Sequence, residues 1–202
     1  MKILAILILF FSINKGIAQS IELMPGTENV FVDIQFMENM SDSSFKYIVY
    51  SQTRAIISQE NNATMSTVVF FNYKSKLGLG ATLASRITSG NGASGLFGLS
   101  YLNIDKRFLI YSLLAVEQHD ETRFGSFSVF KYYPQLCDNW KLYTSLEVNS
   151  LIDKEHHLDS VQRMRLGLDY KNNQFGLAAN LREIGKDYNM IENYGLFFRK
   201  VF

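Results

Sequence analysis

The sequence predicts an all-β chain, a transmembrane antiparallel up-and-down β-barrel of about ten strands, with twelve or eight as alternatives. Three observations predict it. The chain opens on a short apolar segment of the exported kind. Its interior is a succession of alternating segments, most of them about 10–14 residues long, against the 9–11 residues that a tilted membrane strand needs. It ends in Asn193-Tyr194-Gly195-Leu196-Phe197-Phe198-Arg199-Lys200-Val201-Phe202, an alternating strand that runs to a terminal aromatic.

Residues 1–18 read as a signal peptide. Met1-Lys2 supplies the positive start, Ile3 to Phe11 is unbroken and apolar, and Gly16-Ile17-Ala18 is a small-x-small site with cleavage expected before Gln19. The apolar run is shorter than the about 20 residues of a spanning helix. Residues 19–44 form an N-terminal extension or an extra strand. Within them Val30-Phe31-Val32-Asp33-Ile34-Gln35-Phe36 alternates like a strand, yet counting it would make the strand number odd. It joins the wall only if another strand accompanies it, and that would give a twelve-stranded barrel. Residues 45–202 form the barrel proper, with strands expected at 45–58, 63–75, 77–88, 94–103, 107–118, 123–133, 139–151, 159–170, 174–184 and 190–202. Polar, turn-forming residues separate them, including Ile104-Asp105-Lys106, Pro134 to Asn139 and Lys171-Asn172-Asn173. Only two prolines are present, Pro25 and Pro134, and so few are compatible with many long strands.

Each strand separates into two faces. Met164, Leu166, Leu168 and Tyr170 oppose Arg163, Arg165, Gly167 and Asp169; Trp140, Leu142, Leu146 and Val148 oppose Lys141, Tyr143, Ser145, Glu147 and Asn149. In lipid the apolar set faces outward and the small, polar set faces the lumen. The lumen-facing charges are then Arg54, Arg86, Glu117, Lys131, Glu147, Arg163, Arg165, Asp169, Arg182 and Arg199. Unpaired charges in a narrow lumen are costly, so this set is expected to pair into a network. If its basic excess stays unquenched, a pore would favour anions.

Parity sets the topology. With an even strand number and both termini at the periplasmic end, short links are expected there and longer polar links, such as Gln59 to Thr64, Thr88 to Ser94 and Ile152 to Leu158, at the outer end. Tyr47, Tyr73, Tyr101, Trp140 and Tyr170, with Phe108, Tyr132 and Phe175, then collect at the periplasmic end as an interfacial aromatic girdle. Tyr194, Leu196, Phe198 and Phe202 share one face of the closing strand and are the expected assembly signal.

The chain resembles the small outer-membrane β-barrel proteins of Bacteroidota. Phe31-Val32-Asp33-Ile34-Gln35, Ser51-Gln52-Thr53-Arg54-Ala55, Asn139-Trp140-Lys141-Leu142-Tyr143, Ser160-Val161-Gln162-Arg163-Met164-Arg165-Leu166-Gly167 and the closing Phe198-Arg199-Lys200-Val201-Phe202 carry the resemblance. It implies export through a cleaved signal peptide, a place in the bacterial outer membrane, lipid as surroundings, and insertion by the barrel-assembly machinery, which reads the final strand. Lys200 departs from the apolar residue usual third from the end. The resemblance brings no catalytic residue and no ligand.

Other chemistry is sparse. A net charge of +1 supplies no basic field for nucleic acid. The single Cys137 cannot form an internal disulfide. His119, His156 and His157 fall in expected outer loops; His157 and Ser160 have the wrong spacing for neighbours on one strand face, and His119-Asp120-Glu121 reads as a solvated pair. No cofactor or metal site is expected, and no catalytic set. The leading expectation is an outer-membrane barrel with a structural or accessory role and a largely plugged lumen. A narrow channel for small anions or solutes is the alternative, and a barrel lipase or protease comes third for want of a motif.

Overall fold

The computed structural model describes residues 19–40, 47–59, 62–90, 92–118 and 121–202. The expected signal peptide and His119-Asp120 lie outside them. The strands are β1 (Ser20–Pro25), β2 (Asn29–Asn39), β3 (Tyr47–Ser58), β4 (Ala63–Lys74), β5 (Leu79–Thr88), β6 (Gly92–Ile104), β7 (Phe108–Gln118), β8 (Thr122–Tyr132), β9 (Gln135–Cys137), β10 (Trp140–Ile152), β11 (His157–Tyr170), β12 (Asn173–Ile184) and β13 (Asn189–Val201). Each wall strand pairs antiparallel with its sequence neighbour, β10 following β8 directly. The sheet closes where β13 meets β1, from Ser20↔Val201 to Leu23↔Phe198. The wall is therefore a closed antiparallel barrel of twelve strands, not ten.

The two additional strands are β1 and β2. Segment 29–38 is indeed in the wall, and its companion is the six-residue Ser20–Pro25, directly behind the expected cleavage site. Between them only Gly26, Thr27 and Glu28 make the turn, and the Asn193 side chain of β13 holds it by accepting from the Glu28 and Asn29 amides at 3.0 and 3.3 Å. The Pro134 to Asn139 link holds the short β9, which folds back on the start of β10 and adds nothing to the wall.

Each strand alternates as its sequence dictates. Val69, Phe71, Leu83, Phe97, Leu99, Leu114, Leu166, Leu177 and Leu196 stand exposed on the outside, while Phe70, Thr82, Leu96, Ser100, Leu113, Glu117, Glu147 and Arg165 are buried within. A band of exposed leucine and phenylalanine this extensive suits a hydrocarbon environment and not water. Link lengths depart from the expected asymmetry. The loops 89–91 and 153–156, at the end remote from the termini, are about as short as most terminal-end turns, and the two longest links between wall strands, 40–46 and 133–139, lie at the terminal end. The Lys171-Asn172 turn is a two-residue hairpin with both residues at positive φ, 48° and 67°, and Asp169 accepts the Asn172 amide at 3.1 Å.

Candidate functional site

The lumen is the candidate site, and its geometry follows from one contact. Arg54 on β3 bonds Glu147 on β10, and these strands stand six apart in either direction round the wall. A round barrel of twelve strands, about 4.8 Å apart and tilted by about 40°, would be about 24 Å across. An Arg and a Glu meeting end to end fall well short of that. The barrel is therefore flattened, with β3 and β10 facing each other across its short axis.

Glycines lie where such a cross-section must bend most. A Cβ on Gly176 of β12 would stand 2.2 Å from the Leu166 carbonyl oxygen, and one on Gly98 of β6 would stand 2.2 Å from that of Leu114. Both are lumen-side positions near the two ends of the long axis, where the sheet curls so tightly that only a residue without a side chain fits.

The Arg54–Glu147 bridge divides the lumen into two halves. One half is bounded by β10–β13 and β1–β3 and holds an alternating chain of charges, Arg165–Glu22–Arg199–Asp33–Arg54–Glu147–Arg163. Glu22 accepts from Arg165 Nε at 2.8 Å and stands 2.5 Å from Arg199 Nη2. Asp33 takes Arg54 Nε at 3.3 Å and Gln52 Nε2 at 3.1 Å, with Arg199 Nη2 at 4.0 Å. Glu147 joins Arg54 to Arg163. Rings pack against the guanidinium planes: Arg163 and Arg165 lie 5.4 and 5.7 Å from the Phe31 centroid, and Arg199 lies 5.6 Å from that of Tyr143, whose hydroxyl accepts Arg199 Nη1 at 2.7 Å. Met24, Phe31, Tyr143, Ala178 and Phe197 fill the remaining space.

The other half, bounded by β3–β8, is filled by rings. Phe70 stacks on Phe127 across four strands at 6.1 Å, Tyr111 meets both edge-on, and Tyr50, Leu96 and Leu113 pack around them. Asn72 accepts from Thr82 Oγ1 at 2.6 Å and from the Tyr111 hydroxyl at 2.9 Å.

Of the lumen charges named from sequence, Arg54, Glu147, Arg163, Arg165 and Arg199 come together in this chain. Arg86 and Glu117 form a separate pair at 2.9 Å with Ser94 beside it. Arg182 bonds Asp159 at 2.8 Å near the loop end. Asp169 accepts from Gln174 Nε2 at 2.9 Å at the terminal end. Lys131 lines a cavity of about 230 Å³ there. Sequence reasoning missed Glu22 and Asp33, the two carboxylates that link the arginines, because both sit on strands it had not placed in the wall. The signal was present: Ser20, Glu22 and Met24 alternate with Ile21, Leu23 and Pro25.

The aromatics named as a girdle stand at the barrel end that carries the termini. Tyr47 lies 5.6 Å from Tyr73, Trp140 lies 4.7 Å from Tyr170 and 6.2 Å from Phe175, and Tyr101 faces Leu79 across the β5–β6 ladder. On the closing strand, Tyr194 and Leu196 are exposed, Phe198 pairs with both Leu23 and Phe175, and the Phe202 amide donates to Gln19 O at 2.9 Å.

One expectation is overturned locally. His157 and Ser160 do meet, with Nε2 2.8 Å from Oγ, and Nδ1 lies 3.0 Å from the Gly185 carbonyl. The register shifts between Leu151 and Ile152, so that His157 pairs with Ile152 while Asp159 pairs with Leu151. The bulge changes the face on which His157 falls. Tyr188 stacks on the imidazole at 4.6 Å. Among the described residues no group of three metal-ligating side chains comes together.

No family model matches the chain, and no curated protein matches it. Solved structures do. The fold is similar to that of the KdgM porin, at a TM-score of 0.54 and 9% identity over 91% of this chain and 99% of that one. It is similar to the KdgM porin in complex with disordered oligogalacturonate, at a TM-score of 0.53 and 10% identity over the same shares. LpxR from Salmonella typhimurium aligns more loosely, at a TM-score of 0.46 and 9% identity over 91% and 99% of the two chains. At these identities the likeness is one of fold.

Proposed function

We propose that the chain is an outer-membrane β-barrel whose lumen its own side chains close, with a structural or accessory role in that membrane. The exposed apolar band and the fold it shares with porins support the location. The single observation that carries the closed lumen is the Arg54–Glu147 bridge, which joins opposite walls and leaves a filled space on each side. Planar-bilayer recording tests it. The wild-type barrel should show no steady openings, whereas the double variant Arg54→Ser, Glu147→Ser should show step currents. Steady wild-type openings overturn the closed-lumen reading. Heat-modifiable migration on a gel tests the membrane barrel itself, and recovery of a soluble protein without detergent overturns it.

The second reading, a narrow channel for small anions, takes its support from the charge chain, in which four arginines meet three carboxylates. It requires the bridge to open, and anion-selective wild-type currents would favour it. The His157–Ser160 contact we read as a fastener that ties β11 to the loop before β13 through Gly185 and Tyr188. A fluorophosphonate probe should leave Ser160 unlabelled, and labelling lost on His157→Ala would make it a nucleophile.

A further inference from the structure

We infer that the cavity at the terminal end of the lumen binds a small carboxylate that carries a neighbouring hydroxyl and an apolar tail. This rests on the barrel being formed and goes beyond the closed-lumen reading. The cavity holds about 230 Å³, room for about eight waters at ~30 Å³ each. The Arg199–Glu22 and Arg199–Asp33 contacts border it, so it suits a small molecule and not a polymer. Most of its wall is apolar or aromatic, with Tyr50, Leu109, Tyr111, Phe127 and Val129 among the lining residues.

Three polar atoms in that wall, Lys131 Nζ, Arg199 Nε and Gln174 Oε1, have no hydrogen-bond partner among the described residues. Lys131 makes no ion pair or hydrogen bond among the described residues. Arg199 is 6% exposed, and its Nε–H donates to nothing although its other nitrogens are engaged. Gln174 is 8% exposed, and its Oε1 accepts nothing because Nε2 is committed to Asp169. Buried polar atoms without partners cost stability, and the two of them here, with the half-buried Lys131 ammonium in the same cavity wall, call for a complementary ligand.

The chemistry of the three defines that ligand. The Lys131 ammonium and the Arg199 Nε–H only donate, so they take an anionic oxygen. Gln174 Oε1 only accepts, so it takes a hydroxyl. Gln174 and Arg199 are cross-strand partners in register, and their free atoms therefore belong to neighbouring points on the wall. A carboxylate with a hydroxyl on the adjacent carbon meets all three, with its tail against the rings of Tyr50, Tyr111 and Phe127. Inorganic phosphate offers no tail, and an amine would meet the Lys131 charge.

Calorimetry on the folded barrel in detergent tests this, with 3-phenyllactate as probe. Wild type should bind it saturably. Phenylpropionate, which lacks the hydroxyl, should bind about fivefold more weakly, and 3-phenylpropane-1,2-diol, which lacks the carboxylate, should not bind. Lys131→Met should weaken phenyllactate by about tenfold, the scale of one lost charge-assisted hydrogen bond. Lys154→Met, in an outer loop, should change nothing. Heat-modifiable migration reports whether each variant is a folded barrel, and if Lys131→Met is not, the ligand series on wild type still decides. Absence of saturation into the millimolar range overturns the inference, as does undiminished binding by folded Lys131→Met or equal binding of all three probes. A wild type that conducts and still binds would overturn the closed lumen alone; a silent one that binds nothing would overturn this site alone.

Discussion

The two halves of the lumen do the same job with different physics. Both fill a space wider than one layer of side chains. In the half bounded by β10–β13 and β1–β3, long arginines reach inward and carboxylates hold them, so each group depends on its partners. In the half bounded by β3–β8, rings meet by shape alone, and each contributes its own buried area. The difference teaches where tolerance lies. A change among the rings leaves a local cavity, whereas a change in the ionic chain leaves a buried charge unpaired, and that penalty passes along the chain.

The largest expected effect tests that dependence. Glu22→Ala strands both Arg165 and Arg199, which are almost fully buried, and should cost about 4 kcal/mol. The midpoint of urea unfolding from lipid vesicles would measure it. Phe70→Ala, at the centre of the aromatic half, removes one ring from a stack and should cost about 3 kcal/mol by the same assay. Phe70→Leu should recover more than half of that, since volume is nearly kept, but no comparably simple swap at Glu22 keeps its charge and reach. If Glu22→Ala costs less than Phe70→Ala, the contrast between the halves is wrong.

Sequence analysis named Arg54, Glu147, Arg163, Arg165 and Arg199 of the ionic half but not the carboxylates Glu22 and Asp33, and it singled out no ring of the aromatic half, although the pattern there was the plainer one. Strands β3 to β8 are long, and their alternation is plain, so Phe70, Tyr111 and Phe127 fall on the lumen side by counting alone. The ionic half depends on β1, which has six residues, ends at Pro25 and begins just after the expected signal peptide. Such a strand is shorter than the ~9–11 residues expected of a span, and length was the criterion that separated membrane strands from soluble ones. Losing β1 lost Glu22, left β2 without a place, and took Asp33 with it. The set named from sequence then held seven basic side chains and three acidic ones, and the two carboxylates that link the arginines were missing from the network it was expected to form. The flattening was hidden too, because alternation says which way a side chain points and not how far away the opposite wall stands. The His157–Ser160 contact escaped because a bulge changes a face without changing composition.

A double-mutant cycle sharpens the comparison at the boundary between the halves. Arg54→Met or Glu147→Leu alone abandons a buried charge; the two together remove the bridge but leave Arg163 without Glu147 and Asp33 without Arg54, so the double variant should still lie about 3 kcal/mol below wild type while falling short of the sum of the single changes. The matching pair in the aromatic half, Phe70→Leu with Phe127→Leu, loses one stacking contact and should show a coupling of only about 1 kcal/mol. Smaller still is Arg182→Ala. This pair with Asp159 sits at the loop end, with the Arg side chain 43% exposed, so solvent screens it and the loss should be about 0.5 kcal/mol.

The smallest effect distinguishes the loops above the two halves and is read by pH. On the ionic side, Asp153 accepts the Glu155 and His156 amides at 2.7 and 2.6 Å, and these bonds hold its carboxyl below the usual aspartate range. A depressed carboxylate pKa means that the ordered loop is fully favoured above the ordinary aspartate value and loses that support as pH falls through the lowered one. Amide hydrogen exchange at Glu155 and His156, corrected for the intrinsic pH dependence of exchange, should therefore stay protected into mildly acidic solution and become unprotected only below that range. Asp153→Asn keeps an acceptor but no charge, so it should remove the pH dependence while retaining part of the protection. On the aromatic side, the loop between β5 and β6 is held by Ser89, whose hydroxyl accepts the Met65 amide at 2.8 Å and does not titrate. Its protection should not change over the same range. A parallel loss in both loops would mean that acid loosens the whole outer rim and not the carboxylate-held turn alone.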